Sequence, residues 1–457
     1  MDSLETIAAI ATPPGEGGIG MIRLSGPNAP ESASILSKTT IRENEPRQAT
    51  LLSLKRPDDN QPIDQGLVTF FPSPHSYTGE DVVEISGHGS PLLLQALLET
   101  LINQPETRLA EPGEFTRRAF ENNKLDLAQA DAVASLISAR SESALRASAR
   151  QLRGELSDAV NELRETLVFC QSRIEAGLDF GDQETVGKIP YGEIKQRLNE
   201  TRDQLVQLID SGKSGTLLEQ GVSTAIIGRP NVGKSSLMNR LLKEERAIVT
   251  QQPGTTRDVV RDQVVIDGIP FRLHDTAGIR QNPETIEAEG IRRSKETLET
   301  ADLILFLFDR SKSLEENDRR IYELTNSIPT LIIGNKNDLK TKIRKKEEKN
   351  YFGEPDLYIS AKTGEGLETL QHEMVTRVRH GDTTVEDPLV TRTRHLEILK
   401  KTKKQLERAI NGIKQNRDPS LIADDLREAS THAGKITGEI TTDDLLDEIF
   451  HEFCIGK

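Results

Sequence analysis

Apolar residues in the first quarter of the chain occur in short runs that glycine and proline separate. Three of these runs, at residues 19–24, 66–71 and 81–85, are typical of strands. Residues 91–101 place apolar side chains at helical spacing, which predicts a helix. We therefore expect an α+β domain over residues 1–122.

A helical pattern occupies two stretches that lie far apart in the chain, at residues 125–209 and 391–450. Each stretch alone has too little partner surface to bury its apolar face, so we expect the two to pack together as one discontinuous helical domain. Between them lies a segment that alternates strand-like and helical patterns. The predicted division is an N-terminal domain (1–122), the first helical part (123–215), an inserted domain (216–379) and the second helical part (380–457).

The inserted domain contains the sequence Gly228-Arg-Pro-Asn-Val-Gly-Lys-Ser235, which follows an apolar run at 224–227 and precedes a helical pattern at 236–242. A G-x-x-x-x-G-K-S loop in this context binds nucleotide phosphates, because glycines let the backbone curl and its N–H groups point at the anion. Lys234 is expected to reach the β- and γ-phosphates, and the Ser235 hydroxyl to ligate Mg²⁺. The predicted loop contacts are Asn231, Val232, Gly233, Lys234, Ser235 and Ser236.

Further motifs, each after a strand-like run, indicate which base is bound. Asp338 of Asn335-Lys-Asn-Asp338 is placed to accept hydrogen bonds from guanine N1 and the exocyclic amine, which adenine cannot offer. Ser360 and Ala361 are expected to back the guanine. These motifs add Asn335, Lys336, Asp338, Ser360 and Ala361 to the predicted GTP site.

The sequence Asp275-Thr-Ala-Gly278 fits the γ-phosphate side of such a site, with a water-mediated Mg²⁺ contact from Asp275 and a backbone N–H from Gly278. Gly254-Thr-Thr-Arg-Asp258 supplies a switch threonine. The predicted contacts on this side are Thr250, Thr255, Thr256, Asp275, Thr276, Ala277 and Gly278. Together the motifs predict a guanine-specific nucleotide site.

The hydrolytic group is not obvious, because Ile279 stands where many small GTPases carry a water-orienting glutamine. Either the domain barely hydrolyses GTP or another polar group acts. Glu284, Glu287 and Glu289 are candidates in the next segment, which also reads as an ordinary solvated acidic loop. Asn231 offers a side-chain oxygen for a monovalent cation near the β–γ bridge.

Composition limits the class of protein. The chain has 457 residues, 35% hydrophobic residues and no run of about eighteen apolar residues, so a soluble cytoplasmic protein with two or three domains is expected. Cys170 and Cys454 are the two cysteines, which gives no disulfide framework. Cys170 lies in an apolar helical pattern and is expected in the core. Cys454 lies on a terminal tail, and such tails are typically mobile and exposed.

One glycine pattern is misleading. Gly15-Glu-Gly-Gly-Ile-Gly20 matches a dinucleotide fingerprint by letter, but a strand-like run follows it rather than a helix. We therefore do not expect a dinucleotide site at this position.

The whole chain resembles the MnmE (TrmE) family of tRNA-modifying GTPases. The resemblance rests on Ala11-Thr-Pro-Pro-Gly15, Gly20-Met-Ile-Arg23, Tyr77-Thr-Gly-Glu-Asp-Val-Val-Glu-Ile-Ser-Gly-His-Gly89, Pro112-Gly-Glu-Phe-Thr116, Asn123-Lys-Leu-Asp-Leu-Ala-Gln-Ala130, the GTPase motifs and Phe453-Cys-Ile-Gly-Lys457. It implies a multidomain α/β protein: an α+β folate-binding and dimerisation domain, a discontinuous all-α domain, and an inserted Ras-like P-loop G domain with a doubly wound, mostly parallel sheet.

The resemblance also implies an activity and its partners. With an FAD-containing MnmG partner, such a homodimer adds a carboxymethylaminomethyl or aminomethyl group to carbon 5 of the wobble uridine of certain tRNAs. The carbon comes from a one-carbon tetrahydrofolate such as 5-formyl-tetrahydrofolate, and the nitrogen from glycine or ammonium. The net charge of −14 is unfavourable for binding tRNA, so either a local basic patch grips it or the partner does, and we favour the partner.

By the same resemblance, Glu287 orients the attacking water through a bridging water, and Arg280 lies beside it. Potassium is held by Asn231 and by the backbone carbonyls of Thr250 and Gln252, with Thr255 beside them, and Thr256 joins Ser235 on Mg²⁺. Cys454 belongs to the modification chemistry, and the residues that match the folate contacts are Arg23, Glu84, Lys124 and Lys457.

Two other classes remain open. The first is an RNA-binding or ribosome-assembly switch of the Era/Der type, which would need a basic RNA-binding module that the acidic composition argues against. The second is a folate-dependent enzyme whose GTPase has decayed to a scaffold, against which the intact Lys234, Asp275 and Asp338 argue.

Overall fold

The computed structural model describes residues 5–56, 60–179, 189–244, 263–275, 301–325, 328–379, 388–451 and 453–457. Strands and helices follow one another along the chain in the order that the hydrophobic pattern predicts. The mixed α/β fold class is confirmed. The four-part division of the chain stays a prediction.

The N-terminal part forms a mixed sheet with helices packed against it. Its strands are β1 (Thr6–Ile10), β2 (Gly17–Ser25), β3 (Thr50–Lys55), β4 (Pro62–Phe71), β5 (Val82–Gly89) and β6 (Thr107–Leu109). Its helices are α1 (Ala29–Ser37), α2 (Pro91–Ile102) and α3 (Glu114–Glu121). The strand order is β3-β4-β5-β2-β1-β6, and only β1 and β6 pair in parallel among these neighbours.

The strands predicted at 19–24, 66–71 and 81–85 are confirmed as β2, β4 and β5, and the helix at 91–101 as α2. Because β2 begins at Gly17, a strand follows the early glycines, and this confirms that they do not open a nucleotide-binding helix. Apolar side chains of β2, β5 and α2, among them Ile22, Val83 and Leu97, share one core.

The first helical stretch forms four helices: α4 (Leu127–Ser138), α5 (Glu142–Leu152), α6 (Glu155–Asp179) and α7 (Tyr191–Gln220). The first of them begins with a capping box, in which the Asp126 carboxylate accepts the Gln129 backbone N–H and the Gln129 side chain accepts the Asp126 N–H. The last of them, α7, runs directly into the inserted segment.

The inserted segment forms a second sheet, mostly parallel. Its strands are β7 (Val222–Ile227), β8 (Gln263–Ile266), β9 (Ile269–Asp275), β10 (Leu303–Asp309), β11 (Thr330–Asn335) and β12 (Leu357–Tyr358). Its described helices are α8 (Lys234–Glu244), α9 (Glu316–Glu323), α10 (Lys345–Phe352) and α11 (Leu367–Val378). The order is β12-β11-β10-β7-β9-β8, antiparallel only between β8 and β9.

The central strands of this sheet are fully buried, as expected for parallel strands covered on both faces. The sequence analysis did not single out β10, although every residue of it is buried. Parallel strands place their carboxyl ends at one edge, so the segments that follow β7, β10, β11 and β12 begin at that edge.

The second helical stretch returns as α12 (Thr393–Lys414), α13 (Pro419–Thr437) and α14 (Asp443–His451). One core contains apolar side chains from both stretches, for example Leu163 and Leu205 from the first and Leu406 and Leu426 from the second. The two stretches therefore pack together, as expected.

A buried carboxylate joins the two stretches where the inserted segment leaves and re-enters. Asp131 of α4 lies 3.0 Å from a guanidinium nitrogen of Arg392, 2.6 Å from one of Arg394 and 3.0 Å from Nε2 of His395. Asp131 and His395 have no solvent exposure. Burial alone would raise the pKa of Asp131, but the hydrogen bond with His395 and the two arginines lower it below its ordinary value. Burial, reinforced by Arg394, lowers the pKa of His395.

The lowered pKa values of Asp131 and His395 make the fold sensitive to acid. Below its unfolded pKa of about 6.5, His395 takes up a proton more readily in the unfolded chain than in the fold, so stability falls as the pH drops through that value. We expect the thermal midpoint to decrease between pH 7.5 and 5.5, and the His395→Gln variant to show a shallower dependence. Calorimetry at several pH values measures this.

The exposed His75 supplies the matched control, since His75→Gln removes an imidazole outside the cluster. It should keep the wild-type pH dependence. Equal pH dependence in His395→Gln and the wild type would contradict the role assigned to His395 in this acid sensitivity.

Candidate functional site

The phosphate loop joins β7 to α8 and needs glycine at two positions. Gly228 and Gly233 have φ of +147° and +109°. A Cβ on Gly228 would lie 2.2 Å from the Leu307 carbonyl oxygen, and one on Gly233 would lie 2.3 Å from Nδ2 of Asn335. The loop is therefore pressed against β10 and β11 by close backbone contact.

Polar contacts hold the curl of the loop. The Lys234 ammonium donates to the carbonyl oxygens of Gly228 and Arg229 at 2.8 and 3.0 Å. The Arg229 guanidinium pairs with Glu315 at 2.7 Å and Asp318 at 3.0 Å, at the start of α9. Lys234 is buried, whereas Ser235 and Ser236 are exposed at the start of α8. The exposed Asn231 has a φ of +64°, a conformation that asparagine tolerates better than most residues.

The predicted guanine motifs meet beside this loop. Asn335 is 2% exposed; its Nδ2 donates to the Val232 carbonyl at 2.8 Å and its Oδ1 accepts the Ala361 N–H at 3.0 Å. The Ser360 hydroxyl donates to the Asp338 carboxylate at 2.7 Å. Asn335 thus ties the phosphate loop to both base-binding segments, and Ser360 orients the carboxylate assigned to guanine.

Two residues that the sequence analysis missed, Asp309 and Arg310, support the Asn335–Asp338 segment from the end of β10. Lys336 Nζ lies 2.7 Å from the Asp309 carboxylate. Burial alone would raise the pKa of Asp309, but hydrogen bonds from Lys336 and Ser311 outweigh it and leave that pKa below its ordinary value. The sequence signal that could have revealed them is the charged pair Asp309-Arg310 at the end of a buried apolar strand.

Arg310 holds the middle of the same segment. It donates to Oδ1 of Asn337 at 2.6 Å and lies 3.9 Å from the centre of the Tyr358 ring. The Tyr358 hydroxyl in turn donates to Glu348, and burial together with that carboxylate raises the pKa of Tyr358 to about 12. The segment predicted to bind the base is therefore braced by β10, α10 and β12.

Several predicted site residues lie outside the described part of the chain: Thr250, Gln252, Thr255, Thr256, Thr276, Ala277, Gly278, Ile279, Arg280, Glu284, Glu287 and Glu289. The backbone of Asp275 ends β9, next to β7. The roles assigned to these residues stay predictions.

A second cluster lies on the N-terminal sheet. Arg23 of β2 stands opposite Glu84 of β5, and two guanidinium nitrogens lie 2.8 and 2.9 Å from one carboxylate oxygen. The rings of Tyr77 and Phe115 have centres 5.7 and 5.8 Å from the guanidinium carbon. Arg23 and Glu84 are 18% and 21% exposed, so the pair is accessible at its edge.

The terminal tail docks at this pair. Ile455 forms a β-bridge with Pro112, and the Gly456 carbonyl lies 3.4 Å from Nη1 of Arg23. Gly456 has a φ of +93°, and a Cβ there would lie 2.5 Å from the Ile10 carbonyl oxygen, so only glycine fits. The sequence analysis missed this docking, because it treated the tail as a mobile terminus.

Docking brings Lys457 to the same cluster. Burial lowers the pKa of Lys457, and Arg23 lowers it further, while Cys454 and Glu84 act in the opposite direction. Cys454 is exposed. The structure therefore joins Arg23, Glu84 and Lys457, with Cys454 three residues before the end of the chain.

Lys124 lies at the border of this cluster. Its ammonium donates to the Pro74 carbonyl at 3.0 Å, and Gly79 packs against its aliphatic stem. It thus contacts the loop that carries Tyr77, rather than Arg23 or Glu84. Tyr77 belongs to one of the motifs that carry the family resemblance, but its contact with Arg23 was not predicted.

The other cysteine has a structural environment. Cys170 of α6 has no solvent exposure, and burial raises the pKa of its thiol to about 11. Its expected place in the core is confirmed. Across the described parts of the chain, no helix is long and apolar enough to cross a membrane.

Comparison with known proteins covers the whole chain. A family model described as the MnmE helical domain matches residues 127–454, and one described as the GTP-binding protein TrmE N-terminus matches residues 6–124. The tRNA modification GTPase MnmE of Nitrosomonas europaea is 44% identical over 460 residues, covering 100% of both chains. The protein of the same name from Aquifex aeolicus is 44% identical over 455 residues, covering 99% of this chain and 100% of the relative.

The contacts of Asn335 lead to a prediction. In Asn335→Asp, a carboxylate oxygen replaces the donor that faces the Val232 carbonyl, so attraction becomes repulsion while the Ala361 N–H keeps its acceptor. Loss of such a buried bond costs about 1–3 kcal/mol, and we expect the affinity for a fluorescent, non-hydrolysable GTP analogue to fall about tenfold or more.

Asn350→Asp makes the same chemical change on the exposed surface of α10 and should bind the analogue like the wild type. Wild-type affinity in Asn335→Asp would show that the bond between the two loops does not support nucleotide binding.

Proposed function

The chain belongs to the MnmE family of tRNA modification GTPases, and on that premise we propose that it couples GTP hydrolysis to modification of the wobble uridine at carbon 5. The modification uses a one-carbon tetrahydrofolate and an MnmG-type partner that carries FAD. One observation carries the proposal: the docked tail puts Lys457, and with it the Cys454 segment, at the Arg23–Glu84 pair.

Guanine recognition is assigned to Asp338, whose carboxylate the Ser360 hydroxyl already orients. An aspartate in this position accepts from guanine N1–H and the exocyclic amine, and adenine would leave it unsatisfied. Lys234 lies beside the loop carbonyls, close to where the β- and γ-phosphates bind a loop of this type. These contacts support GTP as the nucleotide.

The metal assignments rest on donors at the loop. The exposed hydroxyl of Ser235, at the start of α8, suits Mg²⁺, which prefers hard oxygen ligands, and Thr256 is the proposed second protein ligand. Asn231 presents an exposed amide on a left-handed turn at the mouth of the loop, which suits a K⁺ ligand. The remaining proposed K⁺ ligands are Thr250, Gln252 and Thr255.

Hydrolysis is assigned to Glu287, which orients water through a second water, with Arg280 beside it. We propose that this hydrolysis takes place where two G domains of a homodimer meet, and that K⁺ held by Asn231 and the other proposed ligands would supply positive charge beside the transferred phosphate. Charge stabilisation of this kind is the main contribution to phosphoryl transfer, since the protein does little covalent chemistry.

The one-carbon site is assigned to the tail-docked cluster. The Glu84 carboxylate suits the N–H-rich edge of a pterin, and the Arg23 guanidinium pairs with it at 2.8 Å. The partly exposed Tyr77 provides aromatic surface beside the pair, whereas Phe115, which also lies near the Arg23 guanidinium, is fully buried. Lys124, on the neighbouring loop, suits the glutamate tail. We assign to Cys454, which is exposed on the docked tail, the role of acting on a bound substrate.

The described geometry bears on the alternatives. An Era/Der-type switch has no use for a tail that is docked through a glycine of restricted conformation and ends in a half-buried lysine. A decayed GTPase has no reason to keep the Asn335 bridge between the loops. Both observations favour an enzyme that uses the two sites together.

The decisive experiment is mass spectrometry of tRNA nucleosides from cells that lack the protein, complemented with wild type or Cys454→Ser. We expect the C5-substituted wobble uridine to disappear in the deletion, return with the wild type and stay absent with Cys454→Ser, because the thiol is removed at an exposed position with little effect on the fold.

Cys170→Ser is the matched control, since it changes the buried cysteine outside both sites and is expected to restore the nucleoside where it folds. Purified Cys454→Ser should hydrolyse GTP at nearly the wild-type rate. An unchanged nucleoside profile in the deletion strain would remove the modification activity and leave only the GTPase.

A second expectation concerns the cation. GTP turnover should be faster in potassium than in sodium or lithium at equal ionic strength, because the proposed site selects an ion by size. Steady-state phosphate release measures the difference. Equal turnover in sodium and potassium would contradict the assignment of Asn231.

A further inference from the structure

Helix α12 differs in charge from the rest of this acidic chain. It carries seven basic residues, from Arg394 to Lys414, and two acidic ones, a net charge of +5 within a protein of net charge −14. The neighbouring α7 carries four basic and five acidic residues. The concentration of positive charge therefore belongs to one helix of the bundle rather than to the bundle as a whole.

Five of the seven positive charges face solvent. The opposite side of α12 is buried in the helical core, through residues such as Leu399, Leu406 and Ile410. The exposed side presents a row that we call the basic stripe: Lys400, Lys401, Lys404, Arg408 and Lys414. Members spaced four apart lie one above another, about 6 Å along the helix axis.

Within the part of the chain that the structure describes, the stripe makes no ion pair with a carboxylate. Throughout the described residues, no carboxylate forms a salt bridge with Lys400, Lys401, Lys404 or Lys414. Nearby acids have other partners: Lys403 lies 3.7 Å from Glu407, and the Gln405 amide donates to Glu428 at 2.6 Å. Opposite charges three or four residues apart on a helix can pair, as those of α7 do in Arg197–Glu193 and Lys213–Asp210.

Helix α13 extends the positive surface. Burial lowers the pKa of His432, and Lys435 and Lys401 lower it further, so the cations of the two helices act on the same region. Glu428 is the acidic group that opposes them there. The patch thus spans two packed helices and is wider than one row of side chains.

Its position connects it to the modification site. Near the start of α12, Arg394 bonds Asp131 of α4. The same helix α4 packs, through Leu127 and Ala130, against Phe450 and Phe453 at the base of the terminal tail. The helix that carries the stripe is therefore bonded to α4, the helix that also supports the tail.

We propose that the basic stripe of α12 binds the phosphate backbone of tRNA outside the modified nucleotide; this rests on the proposed function, and it departs from our expectation that the partner protein does most of this binding. Lysine and arginine suit phosphate, whereas single-stranded bases are usually recognised by stacking on aromatic rings. Helix α12 contains no aromatic residue except His395, which is buried. The stripe therefore positions a tRNA arm and does not read the wobble base.

The test uses the full chain and labelled tRNA, with binding measured between 50 and 200 mM salt. The stripe variant changes Lys400, Lys401, Lys404 and Arg408 to glutamine. Its control, Lys342→Gln, Lys345→Gln, Lys346→Gln and Lys349→Gln, removes the same charge from exposed positions of the inserted segment. We expect the stripe variant to lose about tenfold or more in affinity, and its salt slope to fall by about one for each lost phosphate contact.

A charge-preserving variant, with Lys400, Lys401 and Lys404 changed to arginine, should keep the wild-type affinity, which separates charge from folding. Equal losses in the stripe variant and the control would overturn the inference, as would unchanged tRNA affinity with weakened association of an acidic partner protein. A wild-type chain that binds no tRNA at 50 mM salt would overturn it as well, while the nucleoside measurement would still decide the proposed function.

Discussion

The arrangement of the molecule depends on one buried carboxylate, Asp131. It lies in α4 and bonds Arg392, Arg394 and His395, which follow it by more than 260 residues. Removing one partner of such a buried ionic cluster costs about 3–5 kcal/mol, because the remaining charges stay desolvated. The cluster therefore forces the second helical stretch to return to the first at one place and in one register.

The positions of both candidate sites follow from that closure. The inserted segment leaves α7 at Gln220 and its return is fixed where Arg392 meets Asp131, so a mostly parallel sheet can be inserted without disturbing the helical core. The end of the chain is guided in turn. Helix α14 packs on α3 through Arg117 and Asp447, and the tail then reaches the Arg23–Glu84 pair on the N-terminal sheet.

Local features of this fold were predictable from sequence, and long-range ones were not. The phosphate loop and the guanine motifs have fixed spacings because each sits directly after a strand, and the paired helical stretches show in their apolar periodicity. The Asp131 cluster shows no such signal, since aspartate, arginine and histidine are common on surface helices. The docking of Gly456 on the Ile10 carbonyl depends on two segments that meet only after the whole chain has folded.

The residues that hold the site residues in place were not predicted, for a related reason. Arg310 and Asp309 belong to no motif of the loop, yet they hold Asn337 and Lys336 in place. Strand β10 carries them to the shared edge of the sheet because it pairs with β7 and β11, a fact of topology rather than of spacing. Residues that brace a site from a neighbouring strand are therefore seen only once the strand order is known.

Net charge is likewise a poor guide to where a polyanion binds. At physiological salt, interactions between exposed charges are screened over about 8 Å, so a phosphate at α12 is influenced mainly by the nearest side chains. The total of −14 describes the whole surface, whereas α12 alone carries +5. An acidic chain and a tRNA surface are therefore compatible, provided that the basic residues are concentrated on one face and the acids beside them have other partners, as Glu407 has in Lys403 and Glu428 in the Gln405 amide.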